Sequence, residues 1–443
     1  MKLFGTDGIR GRAGEFPLDP PSVRLLGREL GRRLSERRAG GRVVLGGDTR
    51  ESTPQIVADL AAGLREGGCG VAAAGIITTP GIAELVLELG AAAGIAVSAS
   101  HNPYEDNGIK IFGADGRKWP DEQEEYLEKR LVDARSSPEA VSTPAPPDPD
   151  PGLCAAYVSR LRASIPSELD GLSILMDAGN GAAFQIGPRA FHRAGARVTA
   201  IHDAPDGRNI NRACGALHPE ELASQMPGSK AHLGVAFDGD ADRSIFADEL
   251  GRVLDGDDVL WIVARDWKRQ GRLAEGGVVG TVMSNFGLET ALAREGIPFR
   301  RAAVGDRNVA RLMDETGANL GGETSGHILL APLSPAGDGI LTALVVSAIV
   351  KSSGRALSEL ATLEKVPQTL RNVRVSRRVA IEEFPAIREA IARAEAALDG
   401  RGRIFLRYSG TEPLLRILVE GADASEVDSI ADDVEAAVRG ELT

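Results

Sequence analysis

Aromatic residues make up only 4% of this 443-residue chain, so few stacking surfaces are available. Cysteines number three. Cys69, Cys154 and Cys214 are far apart, odd in number and without a CxxC pair, so neither a zinc site nor a disulfide scaffold is expected. There is no basic surplus: 63 acidic residues face 51 basic ones, for a net charge of −12. That excludes a general nucleic-acid binder. It leaves an anionic small substrate open, because a local cleft sets its own field. No long hydrophobic run is present either. The longest, Ile340 to Val350, has 11 residues, where a membrane span needs about 20; a buried helix is expected instead. The first residues, MKLFGTDGIRG, lack the apolar stretch of a secretory signal. No membrane partner and a cytoplasmic location are therefore expected.

What is present is ordinary globular composition, 43% hydrophobic and 26% charged, which rules out global disorder. Glycine is abundant, 53 residues or about 12% against a usual ~7%. At roughly 150 residues per domain, three domains are expected, or four if one is small. Residues 136–151, SSPEAVSTPAPPDPDP, carry six prolines and read as an extended linker. Before it, Asp121 to Ala134 has a helical pattern, with Leu127, Leu131 and Val132 on one face and Glu125 four residues before Lys129.

Strand–helix alternation occurs three times in similar form. Opening strands are expected at Val43–Gly47, Leu172–Asp177 and Val278–Met283. Second strands are expected at Val71–Ile77, Arg197–His202 and Phe299–Val304. Each round closes with a strand entering a polar loop: SASHNP (98–103), FDGDADR (237–243) and GGETSGH (321–327). Loops at strand carboxyl ends face the ligand crevice in open α/β sheets, so three such loops can line one cleft. From about residue 367 the pattern changes to a small α+β unit: strand Arg371–Val375, helix Ile381–Leu398, strands Arg403–Tyr408 and Leu414–Glu420, helix Ser425–Val438. The expected domains are 1–150, 151–250, 251–366 and 367–443.

The strongest chemical signal is Asp238, Asp240 and Asp242. In an extended segment these alternate residues point the same way. Three converging carboxylates require a cation, and hard oxygen ligands select Mg²⁺ or Ca²⁺. A solvated acidic turn is the plainer reading. A calcium EF-hand, with Glu249 at its twelfth position, is opposed by Arg243 where Gly is needed and by the strand-like LGVAF before the loop. Open coordination positions suit phosphoryl transfer. Ser100, on a tight loop after an apolar strand, is a candidate nucleophile; His101, its neighbour, is not expected to face it. Phosphorylation of Ser100 would supply a further metal ligand. Lys110 is a candidate relay or an ordinary surface lysine. Glu323 and Ser325 can bind sugar hydroxyls or an amino group, and His327 can donate to substrate or move a proton. Arg407, Ser409, Gly410, Thr411 and Arg416 surround one turn, which suits a phosphate clamp or is merely a decorated hairpin. Together these readings imply a phosphosugar whose resident phosphate is clamped while transfer occurs at the metal.

With these residues assembled, the chain resembles the α-D-phosphohexomutase superfamily, and within it the bacterial branch that acts on glucosamine phosphates. The resemblance runs through FGTDGIRG (4–11), SASHNPYEDNGIKIF (98–112), FDGDADR (237–243), TVMSN (281–285), VGDR (304–307), GGETSGH (321–327) and RYSGTEP (407–413). It implies three similar α/β domains with mixed sheets and a smaller C-terminal α+β domain around a central cleft. It implies that Ser100 carries the phosphoryl group, and that one Mg²⁺ per chain is held by that group with Asp238, Asp240 and Asp242. Glu323 and Ser325 would contact sugar; Arg407, Ser409, Gly410, Thr411 and Arg416 would hold the distal phosphate; Arg10, Lys110, Arg243 and His327 would line the reaction centre. The implied reaction interconverts glucosamine 6-phosphate and glucosamine 1-phosphate through a 1,6-bisphosphate, feeding UDP-N-acetylglucosamine and cell-wall synthesis. A glucosamine or glucose 1,6-bisphosphate activator and a monomer or homodimer are also implied. A phosphoglucomutase or phosphomannomutase of the same superfamily is the alternative. Thr324, where the glucosamine branch usually has Gln, and Asn308, where Tyr is common, depart from the pattern in the specificity region.

Overall fold

The computed structural model describes residues 2–442 apart from 6, 38–39, 136–141, 143 and 410–412. Among the described residues, eighteen strands form four sheets. The first unit contains β1 (Phe4–Gly5), β2 (Gly8–Arg12), β3 (Arg42–Gly47), β4 (Gly70–Ile76), β5 (Ala93–Val97) and β6 (Asp106–Gly113), in the order β1-β2-β6-β5-β3-β4. The second contains β7 (Ser173–Asp177), β8 (Arg197–Ile201), β9 (Leu233–Phe237), β10 (Ser244–Asp248) and β11 (Val253–Leu254), in the order β11-β10-β9-β7-β8. The third contains β12 (Val278–Thr281), β13 (Phe299–Ala302), β14 (Leu320–Gly322) and β15 (Ile328–Leu330), in the order β13-β12-β14-β15. A last sheet joins β16 (Gln368–Arg374), β17 (Arg403–Tyr408) and β18 (Leu414–Glu420) in the order β16-β18-β17.

The threefold repeat is topological. In each of the first three sheets a central strand (β3, β7, β12) is flanked by two parallel neighbours (β4 and β5, β8 and β9, β13 and β14). The second of those neighbours then pairs antiparallel with a fourth strand, β6, β10 or β15. The loops 98–103, 238–243 and 323–327 thus occupy one equivalent position, between the third and fourth strands. Both β5 and β9 are buried at every residue, as expected for strands covered on both faces.

Helix Gly339–Ser353 contains the long apolar run, and every residue from Gly339 to Val350 is buried. It packs on helix Gly256–Arg269, β9, β10 and β15, so it belongs to the second and third units at once. One hydrophobic cluster runs continuously through the first three units, whereas the C-terminal sheet has its own, built on Val373, Ile387, Leu415, Ile417 and Val434. No helix among the described residues is long and apolar enough to cross a membrane.

Three local expectations are corrected. Pro151 ends no linker; it opens helix Pro151–Ala163, where its missing N–H costs nothing, with Asp150 accepting from Gly152 N at 2.8 Å. Residues 136–141 and 143 of that stretch lie outside the described residues. Strands expected to reach Met283 and Val304 end at Thr281 and Ala302. Beyond Thr281 the chain turns, with Ser284 N donating to Thr281 O at 3.0 Å. The helix expected over Ile381–Leu398 is interrupted at Phe384, extended at φ −102° and ψ 105°, because Pro385 follows and disfavours a helical predecessor; the regular helix is Pro385–Leu398.

Candidate active site

Ser100 sits just past β5 on a turn with φ +53°, in the left-handed region that a side chain adopts only under constraint. The constraint is a buried polar frame. Ser100 N donates to Ser98 Oγ at 2.9 Å, and Ser98 Oγ donates to Asp48 Oδ2 at 2.5 Å. Arg50, its side chain fully buried, pairs with Asp48 and donates to Ser100 O at 3.1 Å and Asn102 O at 2.6 Å. Asn211, from the second unit, donates to Ser100 O at 2.9 Å. The Asp48–Arg50 pair was missed in the sequence; its only signal is the strand-end run GGDTR (46–50).

The hydroxyl so presented meets the acidic loop. Ser100 Oγ donates to Asp238 Oδ2 at 2.5 Å, across 138 residues of chain. Gly239 permits the approach, because a Cβ there would lie 2.5 Å from Ser100 O. Asp238, Asp240 and Asp242 are all buried, and a carboxylate oxygen from each lies within 4.8 Å of the others. Their convergence does not come from strand alternation, as expected from spacing. The segment is a turn with Ala241 at φ +56°, which swings successive carboxylates inward. The EF-hand is excluded: the loop joins two strands, and Glu249 accepts from Ser358 N at 3.2 Å.

Lys110 is no surface lysine. It lies buried in β6, and its Nζ stands 2.8 Å from Asp240 Oδ2, 3.3 Å from Asp242 Oδ2 and 2.8 Å from Asp7 Oδ2. Burial and the neighbouring Asp242 and Asp240 charges push the Asp238 carboxyl well above the usual carboxylate range. Burial acts upward on Asp242 too, but Lys110, His327 and Arg243 together hold it well below that range. Asp240 Oδ1 and Asp242 Oδ1 are buried without a hydrogen-bond partner. Buried hard oxygen donors left unpartnered, with crowding that lifts one carboxyl, are the chemistry of a divalent-cation site, so the trio fits a metal cofactor.

A cleft of about 380 Å³ opens beside the trio, lined by Asp7, Arg10, His101, Arg243, Glu323 and His327 among others. Arg10 donates to Asp7 Oδ2 at 2.6 Å. His327 Nδ1 is 3.7 Å from Asp242 Oδ1, and its Nε2 3.7 Å from Asp306 Oδ2. Burial opposes its protonation, yet Asp242, Asp306 and Glu323 push the imidazole up to about 9. His101, not expected to face the nucleophile, does so: Nδ1 is 3.3 Å from Ser100 Oγ because the left-handed turn folds the two side chains together. Burial and the Arg243 and Arg10 charges pull His101 down to about 4, so it is neutral. Glu323 Oε1 accepts from Gly305 N at 2.9 Å and Oε2 from the exposed Ser325 Oγ at 3.4 Å. Asp7, Lys118 and Asp306 were also missed. Lys118 Nζ bridges Asp7 Oδ1 and Asp306 Oδ2, each at 2.5 Å, and so ties the first unit to the third. The aspartates of FGTDGIRG and VGDR were the available signal.

The phosphate-clamp candidates stand on the C-terminal sheet. Arg407 and Arg416 are direct partners in the β17–β18 register. Burial and the Arg416 charge pull the Arg407 guanidinium below its usual value, and Arg407 Nε is buried without a partner. Like charges set opposite each other are unfavourable unless an anion lies between them. Ser409 is buried beside them. Gly410 and Thr411 lie outside the described residues.

Four phosphoglucomutase/phosphomannomutase domain families match the chain: alpha/beta/alpha domain I over residues 1–137, domain II over 155–251, domain III over 255–366 and the C-terminal domain over 370–437. A phosphoglucosamine mutase of Koribacter versatilis is 46% identical, over 99% of this chain and 96% of that one. One from Symbiobacterium thermophilum is 45% identical over 100% and 99%.

The chain belongs to the phosphoglucosamine mutase family.

The family fold agrees with solved structures. A phosphoglucomutase/phosphomannomutase family protein from Burkholderia thailandensis matches with TM-score 0.81 and 26% identity, over 99% of this chain and 97% of that one. An Aspergillus fumigatus N-acetylphosphoglucosamine mutase, solved with GlcNAc-6P and magnesium, shares the fold with TM-score 0.66 at 21% identity, over 100% and 96%. This member of the family is thus an isomerase of the phosphohexomutase class, with the three α/β units and smaller C-terminal unit that the resemblance implied.

Proposed function

We propose that the chain interconverts glucosamine 6-phosphate and glucosamine 1-phosphate, with Ser100 as the phosphoryl carrier. The observation that supports this most is the 2.5 Å contact between Ser100 Oγ and Asp238 inside the buried acidic trio. Phosphoserine 100 gives its phosphoryl group to O1 of the substrate: the P–Oγ bond breaks, a P–O1 bond forms, and overall the O1 proton passes to Ser100 Oγ. The resulting 1,6-bisphosphate turns end for end. Its 6-phosphoryl group returns to Ser100 Oγ and glucosamine 1-phosphate departs. The transferring group spreads charge over three oxygens, so the protein's task is positioning and electrostatic stabilisation.

Asp238, Asp240 and Asp242, with an oxygen of phosphorylated Ser100, would hold one Mg²⁺, which when bound neutralises charge on the phosphoryl oxygens. Lys110 and Arg243 supply fixed positive charge beside it, and Arg10 and His327 present N–H donors into the cleft. Glu323 and Ser325 take the sugar, the Glu323 carboxylate suiting a 2-ammonium group. Arg407, Ser409, Gly410, Thr411 and Arg416 clamp the phosphate that is not reacting. The two departures from the family pattern make local contacts: Thr324 Oγ1 donates to the buried Asp257 at 3.2 Å, and Asn308 Nδ2 donates to the exposed Val304 O at 2.9 Å. They leave the sugar-facing groups of the loop in place. The same reading takes the domains as 1–150, 151–250, 251–366 and 367–443, a 1,6-bisphosphate activator, a cytoplasmic location, and a product that feeds UDP-N-acetylglucosamine.

Comparing turnover on glucosamine 6-, glucose 6- and mannose 6-phosphate tests the assignment. Glucosamine 6-phosphate is expected to have the highest kcat/KM. Faster turnover of mannose 6-phosphate would replace this reading with a phosphomannomutase.

A further inference from the structure

The second unit contains a cluster that the proposed reaction does not use. Asp177 ends β7, His202 follows β8, and Cys214 precedes the short turn Gly215–Leu217. One ligand atom from each lies within 4.8 Å of the other two. The closest pair is His202 Nδ1 and Asp177 Oδ2, 3.0 Å apart. That pair is not an ordinary hydrogen bond: Nδ1 is buried yet has no partner of acceptable geometry. Asp177 and Cys214 are fully buried, and Asp177 is locked by Gly179 N on Oδ1 at 2.8 Å and Gly215 N on Oδ2 at 2.9 Å. On the far side of the ring, His202 Nε2 stands 3.4 Å from Glu221 Oε2. A metal-bound imidazole characteristically hands its other N–H to a carboxylate, which sets tautomer and orientation. His202 holds this position at φ +47°, a strained backbone for a side chain of its size.

We propose that Asp177, His202 and Cys214 form a second metal site, for a divalent ion of the zinc type. The donor set decides the class. One imidazole nitrogen, one thiolate and one carboxylate are borderline-to-soft ligands that suit Zn²⁺ or Co²⁺, whereas the all-oxygen trio suits Mg²⁺. Binding releases the Cys214 thiol proton, and thiolate plus carboxylate then balance the ion's two charges. A water from the half-buried His202 side completes a tetrahedron. Without the ion the thiol is inert, pushed up to about 12 by burial and the Asp177 charge.

The placement gives the site a purpose. His202 and Cys214 bracket residues 203–213, which have no regular secondary structure. That loop supplies Asn211 to the carbonyls of Ser100 and Asn102, at 2.9 and 3.3 Å, and Gly207 O to Glu51 N at 3.0 Å. An ion joining its two ends to β7 staples the support of the nucleophile turn. Cysteine spacing could not show this, because the three ligands come from separate stretches of chain.

The test is Co²⁺ titration of the metal-stripped full chain in excess Mg²⁺, followed by near-ultraviolet absorption. Only a thiolate ligand gives sulfur-to-cobalt charge transfer, so the acidic trio cannot mimic the signal. One cobalt per chain is expected with that band. The band should vanish in Cys214→Ser and His202→Gln and persist in Cys154→Ser and Asp240→Asn. Zn²⁺ should raise the melting temperature of the wild type and not of Cys214→Ser, a one-atom change that keeps the test valid if His202→Gln fails to fold. Absence of the band, its survival in Cys214→Ser, or an equal Zn²⁺ shift in both proteins overturns the site. None of these results bears on sugar specificity, so this inference and the proposed reaction fail separately.

Discussion

The proposed reaction centre and the proposed phosphate clamp are built on opposite principles. At the centre, Ser100, Lys110 and the three aspartates are all buried, and their partners come from different sheets. Charge is packed against charge in a frame shared by the first and second units, and Lys118 ties the first to the third. The clamp instead stands on a sheet with its own core. Its two arginines oppose each other across two strands, a pairing that a bound phosphate would relieve. Its base is held by a few polar contacts, among them Phe286 N on Glu420 Oε1 at 3.1 Å and Arg403 Nη2 on Val282 O at 2.8 Å. The difference matches two tasks. Phosphoryl transfer needs fixed geometry, while an intermediate that must turn end for end needs a grip that loosens.

Breaking the rigid side should cost most. Ser100→Ala removes the carrier and should lower kcat on the order of 10⁴-fold or more, read in a coupled mutase assay. Lys110→Met leaves Asp240 and Asp242 without their ammonium partner. It should lower kcat by about 10²- to 10³-fold, the scale for loss of one preorganised electrostatic group, with a smaller change in KM. Breaking the clamp should show the reverse split. Arg407→Ala loses a charge-assisted contact of about 1.5–3 kcal/mol, so KM for the phosphosugar should rise roughly 10- to 100-fold while the melting temperature holds. An unchanged KM would remove Arg407 from phosphate binding.

The smallest effect sharpens the comparison at the rigid body's shared helix. Asp338 caps helix Gly339–Ser353, accepting from Leu341 N at 2.9 Å and Tyr157 OH at 2.7 Å, and burial pushes its carboxyl up to about 7. A carboxyl raised on folding favours the folded state in its protonated form. Its contribution is therefore present at acid pH and is lost as pH climbs from the ordinary carboxylate value to about 7. Asp338→Asn keeps the cap and removes the titration. The melting temperature of the variant relative to wild type should thus improve between pH 4 and about 7 and then level; a flat difference would contradict the shift.

How much was legible follows from the same contrast. Local pattern carried far: the alternating strands and helices, the helix Asp121–Ala134 at both ends, and the loops bearing Ser100 and the acidic trio were all visible in short windows. So was the helix of Gly339–Ser353, because a run broken only by Thr342 and Ser347 among apolar residues has nowhere to go but a core. What stayed hidden were single charges whose partners lie far along the chain. Asp7, Asp48, Arg50, Lys118 and Asp306 look like ordinary surface residues one at a time, and only the fold shows that each pairs with another, Asp48 with Arg50 fully buried and Lys118 with Asp7 and Asp306 half-buried. Backbone strain was equally invisible. The left-handed turns at Ser100 and Ala241 decide where the hydroxyl and carboxylates point, and no propensity announces φ > 0 at a serine or alanine.

One measurement reaches the core of the account. The chain, phosphorylated at Ser100, is mixed with glucosamine 6-phosphate, quenched within a single turnover, and the phosphoryl content of Ser100 is read by mass spectrometry beside the sugar bisphosphate formed. With Mg²⁺ present, each phosphoryl group lost from Ser100 should appear as one bisphosphate, and chelation of the metal should stop both. With an isotopic label in the Ser100 phosphoryl group, product accumulating while the label never passes from Ser100 to sugar would contradict the account.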